Sequence, residues 1–294
     1  MLLFHSTYRR VVFSLLLSVG LSGCATVNST PPVAISIAPT TAPTTAVQPI
    51  TATHTSSPTS SPPTVTVTAE PPAEICSPLQ GFAPSELSTI ITNPLATPHP
   101  GLDDGHHGVD FAFWSRPERP AMRGLPIQSI LPGVVAASFA DRPPYGNAII
   151  IETRLEQLPA AMLQQLSLPA PVPTIPAAPA MVCPTPASPQ PILSETSQSI
   201  YLLYAHMVAP PALKVGEAVR CGQVLGGVGT TGMSVNDHLH LEARIGKSDA
   251  RFESLAFYIA NATNQEMVNY CSWRISQQYQ IIDPMQFLQF SPKP

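Results

Sequence analysis

Proline decides where this chain can build regular structure. It accounts for 36 of 294 residues, against a usual share of about 5%. Ten prolines lie in residues 25–74 and ten more in residues 155–198. Proline removes an amide donor and fixes φ, so neither tract suits a sheet ladder or a long helix. The first tract adds 13 threonines and 6 serines, and Glu70 and Glu74 are its only charged side chains. It cannot bury enough apolar surface to offset the entropy of ordering, which predicts a disordered linker. As a coil it would reach roughly 40 Å, and as extended polyproline II about 150 Å. The second tract carries no Lys or Arg. A structureless loop of this length is uncommon inside a domain. It is therefore expected as an excursion at a hairpin tip, either a solvated insertion or a flap over a site. Residues 158–168 suit one short amphipathic helix.

Between and after these tracts the pattern changes. Short apolar, β-branched runs occur at residues 89–94, 109–113, 126–130, 133–138, 147–153, 199–206, 224–229 and 239–244. Glycine and proline punctuate them, which predicts an all-β domain. Residues 252–270 read as helical, and residues 281–288 as a last strand with a short terminal turn. The expected organisation is a leader at 1–23, a linker at 24–75 and one domain at 76–294. That domain carries the proline-rich insertion (155–198) and an extra helical segment (247–281).

The net charge is −4, only 11% of residues are charged, and no basic run is present. A nucleic-acid partner is not expected. Arg9 and Arg10 precede an apolar stretch at residues 11–21, the length of a signal peptide and too short for a membrane span. Leu21-Ser22-Gly23-Cys24 resembles the lipobox of bacterial lipoproteins. That resemblance implies cleavage before Cys24, lipid on its sulfur, and an extracytoplasmic protein anchored to a membrane of the cell envelope. An ordinary signal peptide containing a cysteine is the alternative. Cys76, Cys183, Cys221 and Cys271 remain, none in Cys-x-x-Cys spacing. Outside the cytoplasm they allow two disulfides. The pairing expected is Cys76 with Cys221 and Cys183 with Cys271; free buried thiols are the other reading.

Five of the eight histidines fall into three short segments: Gly105-His106-His107-Gly108-Val109-Asp110, Tyr204-Ala205-His206-Met207, and Asp237-His238-Leu239-His240-Leu241-Glu242. On a strand His238 and His240 share a face. His106 and Asp110 flank Gly108, where the chain can bend and another backbone can come close. A carboxylate with two histidines is an ordinary catalytic zinc set. His107 is the rival to His106, and being one residue off it should face elsewhere.

This ordered set resembles the LytM or lysostaphin-like zinc metallopeptidases, which cut peptide bonds in bacterial peptidoglycan. The matching signatures are His106-x-Gly108-x-Asp110, Tyr204-x-His206, and a glycine-punctuated run from Gly216 through Met233-Ser234 to His238-Leu239-His240-Leu241-Glu242. The resemblance spans residues 88–154, 199–246 and 282–289. It implies a compact, mostly antiparallel β-sandwich or barrel-like LytM domain with Zn2+ at the floor of a groove. His106, Asp110 and His240 would be the ligands. His206 and His238 would be non-ligand histidines beside the open coordination position, their individual roles open. The implied activity is a zinc metalloendopeptidase acting on peptidoglycan stem peptides. The chain departs from the family at Asp103-Asp104, where a basic residue is common, which could alter substrate charge preference. The two insertions bear on access, and on whether a regulatory partner exists. A non-catalytic module that binds peptidoglycan or regulates other wall hydrolases is the alternative, although such relatives usually lack a ligand. A metal-free envelope adaptor is a third reading.

Overall fold

The computed structural model describes residues 74–113, 120–167, 181–186 and 197–290. The leader and linker expectations, Cys24 included, lie outside these residues. Among the described residues no helix is long and apolar enough to cross a membrane.

The domain is built on antiparallel sheet, as the strand pattern predicted. Its elements are β1 (Ile91–Asn93), β2 (Val109–Phe111), β3 (Pro126–Gln128), β4 (Gly133–Arg142), β5 (Gly146–Arg154), β6 (Gln198–Ala205), β7 (Ala218–Val219), β8 (Val224–Gly227), β9 (Leu239–Lys247) and β10 (Gln280–Ile282). Three short α-helices join them: α1 (Ala160–Leu163), α2 (Asn264–Arg274) and α3 (Met285–Leu288). The main sheet runs β1-β2-β9-β6-β5-β4-β7, with β10 also on β9, and β3 pairs with β8 in a second small sheet. Every pairing is antiparallel.

The central strands β5, β6 and β9 are buried along nearly their whole length. Since alternate residues face opposite sides, both faces of the sheet must be covered. One face packs Ile149, Ile151, Leu202, Tyr204, Leu239 and Leu241 against Ile127 of β3 and Leu225 of β8. The other packs Ile150, Tyr201 and Leu203 against Phe252, Leu255, Tyr270, Trp273 and Tyr279. The segment read as extra thus closes the second face. Tyr201, Phe252, Trp273 and Tyr279 meet there with ring centroids 5.3–6.4 Å apart.

Helix α2 starts later than residue 252 and continues past 270. Thr263 sets the start: its side chain accepts from the Glu266 amide while the Glu266 carboxylate accepts from the Thr263 amide, a capping box. Residues 252–262 spend their apolar side chains on the sheet instead, in bends and a turn. The strand expected at 89–94 is shortened to β1, because a 3-10 helix over Pro84–Ile90 takes its first two residues. Helix α1 shrinks to four residues. The two-residue β7 had no sequence signal.

Strands β5 and β6 pair as far as Arg154 opposite Ser199. The proline-rich insertion therefore leaves and returns at one hairpin end, and that end also holds Lys247, opposite Gln198. Both expected disulfides form: Cys76–Cys221 and Cys183–Cys271, with Cα separations of 5.6 and 5.9 Å. The second ties the insertion to α2.

Candidate metal centre

Antiparallel register brings the distant motifs together. Asp110 of β2 lies directly opposite His240 of β9, and Ala205 of β6 lies opposite the same His240 from the other side. His206, the next residue, leaves β6 beside it. His106 is pinned by two backbone hydrogen bonds with Ala96, of 2.9 and 2.8 Å. His238 is held by a bridge to Gly229. Gly108 is where β2 meets β9 too closely for a side chain, since a Cβ there would lie 2.3 Å from the Leu241 carbonyl oxygen.

Three donor atoms converge. His106 Nε2 is 3.1 Å from Asp110 Oδ1 and 3.2 Å from His240 Nδ1, and Asp110 Oδ1 is 2.8 Å from His240 Nδ1. Ligand atoms about 2.0–2.1 Å from a tetrahedral zinc sit roughly 3.3 Å from one another, so the spacing fits such an ion closely. The hydrogen bonds behind the rings make the same point. His106 Nδ1–H donates to the Pro94 carbonyl oxygen at 2.9 Å, which leaves Nε2 a bare lone pair. His240 Nε2–H faces Glu242 Oε1 at 3.2 Å, which leaves Nδ1 bare. In neutral rings these two lone pairs and the carboxylate would repel one another; a cation between them, either protons shared with Asp110 or a metal ion, removes the repulsion. Asn93 Nδ2 donates to the other oxygen, Asp110 Oδ2, at 3.2 Å and fixes the carboxylate plane.

The electrostatics agree. Burial alone would lower the His240 pKa, but hydrogen bonds to Asp110 and Glu242 and their charges raise it to about 9. Burial would raise the Asp110 pKa, yet the hydrogen bonds from His106 and His240 hold it far below the carboxylate range. The pocket stabilises positive charge where the three donors meet.

His238 and His206 stand against this cluster. His238 Nε2 is 3.6 Å from Asp110 Oδ1. The His206 ring centroid is 4.6 Å from that of His238 and 5.7 Å from that of His240. His206 Nδ1–H donates to the Thr231 carbonyl at 2.7 Å, and His238 Nδ1–H to the Asn236 carbonyl at 2.9 Å. Both therefore present a bare Nε2. Burial, then repulsion from His240 and His238, drops the His206 pKa to about 3, so it is neutral at ordinary pH.

His107 faces elsewhere, as its position suggested. It is buried, its Nδ1 accepting from Arg244 Nη2 at 2.7 Å and its Nε2–H donating to the Asp104 carbonyl at 3.0 Å. Asp103 and Asp104 differ in their surroundings. Asp103 is buried among Arg274, Tyr258 and Tyr270, and Asp104 accepts from the His99 ring and amide.

Glu242 ends the third motif. It is fully buried, with Oε1 accepting from Tyr145 Oη at 2.6 Å. Its Oε2 accepts from Arg244 Nε at 3.0 Å and Trp273 Nε1 at 2.7 Å. The signal that could have found it is the period-two row His238, His240, Glu242, Arg244 along one strand face.

Several solved structures resemble the chain. The catalytic domain of the antimicrobial peptidase lysostaphin from Staphylococcus simulans aligns at 19% identity over 71% of this chain and 98% of that one, with a TM-score of 0.36. A variant of the catalytic domain of the prophage-encoded M23 protein EnpA from Enterococcus faecalis aligns at 19% identity over 54% and 87%, with a TM-score of 0.28. A zinc containing peptidase from Vibrio cholerae aligns at 22% identity over 52% and 32%, with a TM-score of 0.29. In sequence, residues 187–251 match the profile of Peptidase family M23, a stretch that holds His206, His238 and His240, with His106 and Asp110 upstream of it.

Proposed function

We propose that this chain is a zinc-dependent metalloendopeptidase hydrolysing peptide bonds in peptidoglycan cross-links, tethered at the cell envelope through lipid on Cys24. The observation that carries this reading is the convergence of His106 Nε2, Asp110 Oδ1 and His240 Nδ1 within 3.2 Å of one another. The M23 profile match supports a peptidase, and the resemblance of the five-residue set to LytM-type enzymes supports peptidoglycan as substrate.

A bound zinc would polarise the scissile carbonyl and acidify a water molecule. His106, Asp110 and His240 would hold it. His206 and His238 complete the chemistry from the same side of the site. Each has its Nδ1–H committed to a backbone carbonyl, so in its neutral form each can only accept a proton at Nε2. That fixes an order of events: an imidazole acts first as base toward the attacking water. Only after taking that proton can it donate, to the developing oxyanion or to the leaving amine.

The test is hydrolysis of purified sacculi by the full-length protein, followed through release of new amino groups. Release that stops with a zinc chelator and returns with added Zn2+ is the expected result. Zinc-loaded protein that binds sacculi without releasing amino groups would contradict the enzyme and favour a non-catalytic binding module.

A further inference from the structure

We infer that Trp273 and Arg274, at the end of α2, are positioning residues of the metal centre, acting through Glu242 on His240 and through Asp103 on the segment that carries His106. The inference rests on the metal-centre reading above.

Glu242 follows His240 by two residues, so both side chains lie on the strand face that α2 covers. A carboxylate that holds a histidine N–H can still turn about its own Cγ–Cδ bond unless both oxygens are engaged. Here both are. Tyr145 Oη and His240 Nε2 meet Oε1, while Trp273 Nε1 and Arg244 Nε meet Oε2. Arg274 Nη1 adds a hydrogen bond to Tyr145 Oη at 3.2 Å and lies 3.5 Å from Glu242 Oε1. Fixing the plane of Glu242 fixes the direction of His240 Nε2–H, and hence the aim of Nδ1.

The same arginine reaches the other side of the centre. Arg274 Nε donates to Asp103 Oδ1, and Tyr270 Oη of the same helix donates to Asp103 Oδ2. Asp103 lies three residues before His106. One helix end therefore grips both ligand-bearing segments, β9 and the loop before β2. It also balances the charge of two buried carboxylates, with Arg244 as the second cation. Partners behind a metal-binding histidine typically change metal affinity by 10–100-fold.

The experiment is competition for Zn2+ between the full-length protein and a chromophoric chelator. The variants are Glu242→Gln, Trp273→Phe, Arg274→Gln and Arg274→Lys. Thr263→Ala serves as control, because it weakens the cap of the same helix without touching Glu242 or Asp103. We expect zinc affinity to fall about 10–100-fold in Glu242→Gln, and at least about fivefold in Trp273→Phe and Arg274→Gln. Arg274→Lys should recover part of the loss. Thr263→Ala should lower thermal stability with affinity within about twofold of the parent. Unchanged affinity in both Trp273→Phe and Arg274→Gln, with zinc still bound by the parent protein, would overturn this inference alone. A parent protein that binds no zinc would overturn the metal centre and this inference together. A second reading needs no substitution: imidazole 15N shifts should place the His240 proton on Nε2, and a proton on Nδ1 in the zinc-loaded protein would overturn it.

Discussion

His206 leaves β6 with φ +59°, a left-handed conformation that costs a non-glycine residue and recurs at functional positions. Its amide donates to the Tyr145 carbonyl at 3.0 Å, and its ring is tied to Thr231, so backbone and side chain are both fixed. Asparagine tolerates this conformation better than alanine does, which makes His206→Asn the cleaner substitution. That variant and His238→Ala should keep zinc and lose about 10²–10⁴-fold in turnover, read by metal analysis beside amino-group release. Loss of zinc in either would make it a ligand. A second prediction concerns His107, whose pKa burial, then Arg274 and Arg244, push down to about 3. The unfolded chain takes up a proton near pH 6.5 that the folded chain refuses. The His107 contribution to stability is therefore full above about pH 6.5 and is lost as pH drops toward 3, a sign shared with His206 and opposite to that of His240. In zinc-free protein, His107→Gln should flatten the decline of melting temperature between about pH 6 and 4. An unchanged slope would mean His107 takes up its proton while folded.

At the scale of elements, the site is a product of strand register. Asp110 and His240 face each other only because β2 pairs with β9 without a slip, and Gly108 permits that approach. Alanine at Gly108 would force β2 off β9. We expect Gly108→Ala to cost about 1–3 kcal/mol and to weaken zinc binding, measured by denaturant titration and metal competition. Near-parental values for both would show that β2 shifts freely. The strands were legible because their apolar runs are long and bounded by glycine or proline. The motif histidines were legible because alternate residues on a strand share a face, as His238 and His240 do. Helix α2 was misjudged at its start, since residues 252–262 are apolar enough to suggest a helix and instead pack on Tyr201. The strand face that Glu242 and Arg244 share with His240 is legible in the sequence, but nothing local says that Trp273 and Tyr279 contact them. Their role depends on a contact about thirty residues away.

In the whole domain, two distant cross-links frame the fold. Cys76–Cys221 closes a separation of 145 residues and Cys183–Cys271 one of 88. Replacing the pair Cys76 and Cys221 with serine should cost about 2–4 kcal/mol by chemical denaturation, and an unchanged midpoint would contradict that contribution. The second link holds the proline-rich insertion to α2, the helix end that we infer steadies the centre. Charge follows the same plan: Asp103, Glu242, Arg244 and Arg274 pair with one another beside the centre formed by Asp110 and the four histidines. The most direct test of this account is zinc content per chain, measured by elemental analysis of the purified full-length protein and of its His240→Ala variant. One zinc per chain in the parent and essentially none in the variant is the expected result. A parent without stoichiometric zinc, or a variant that keeps it, would contradict the proposed centre.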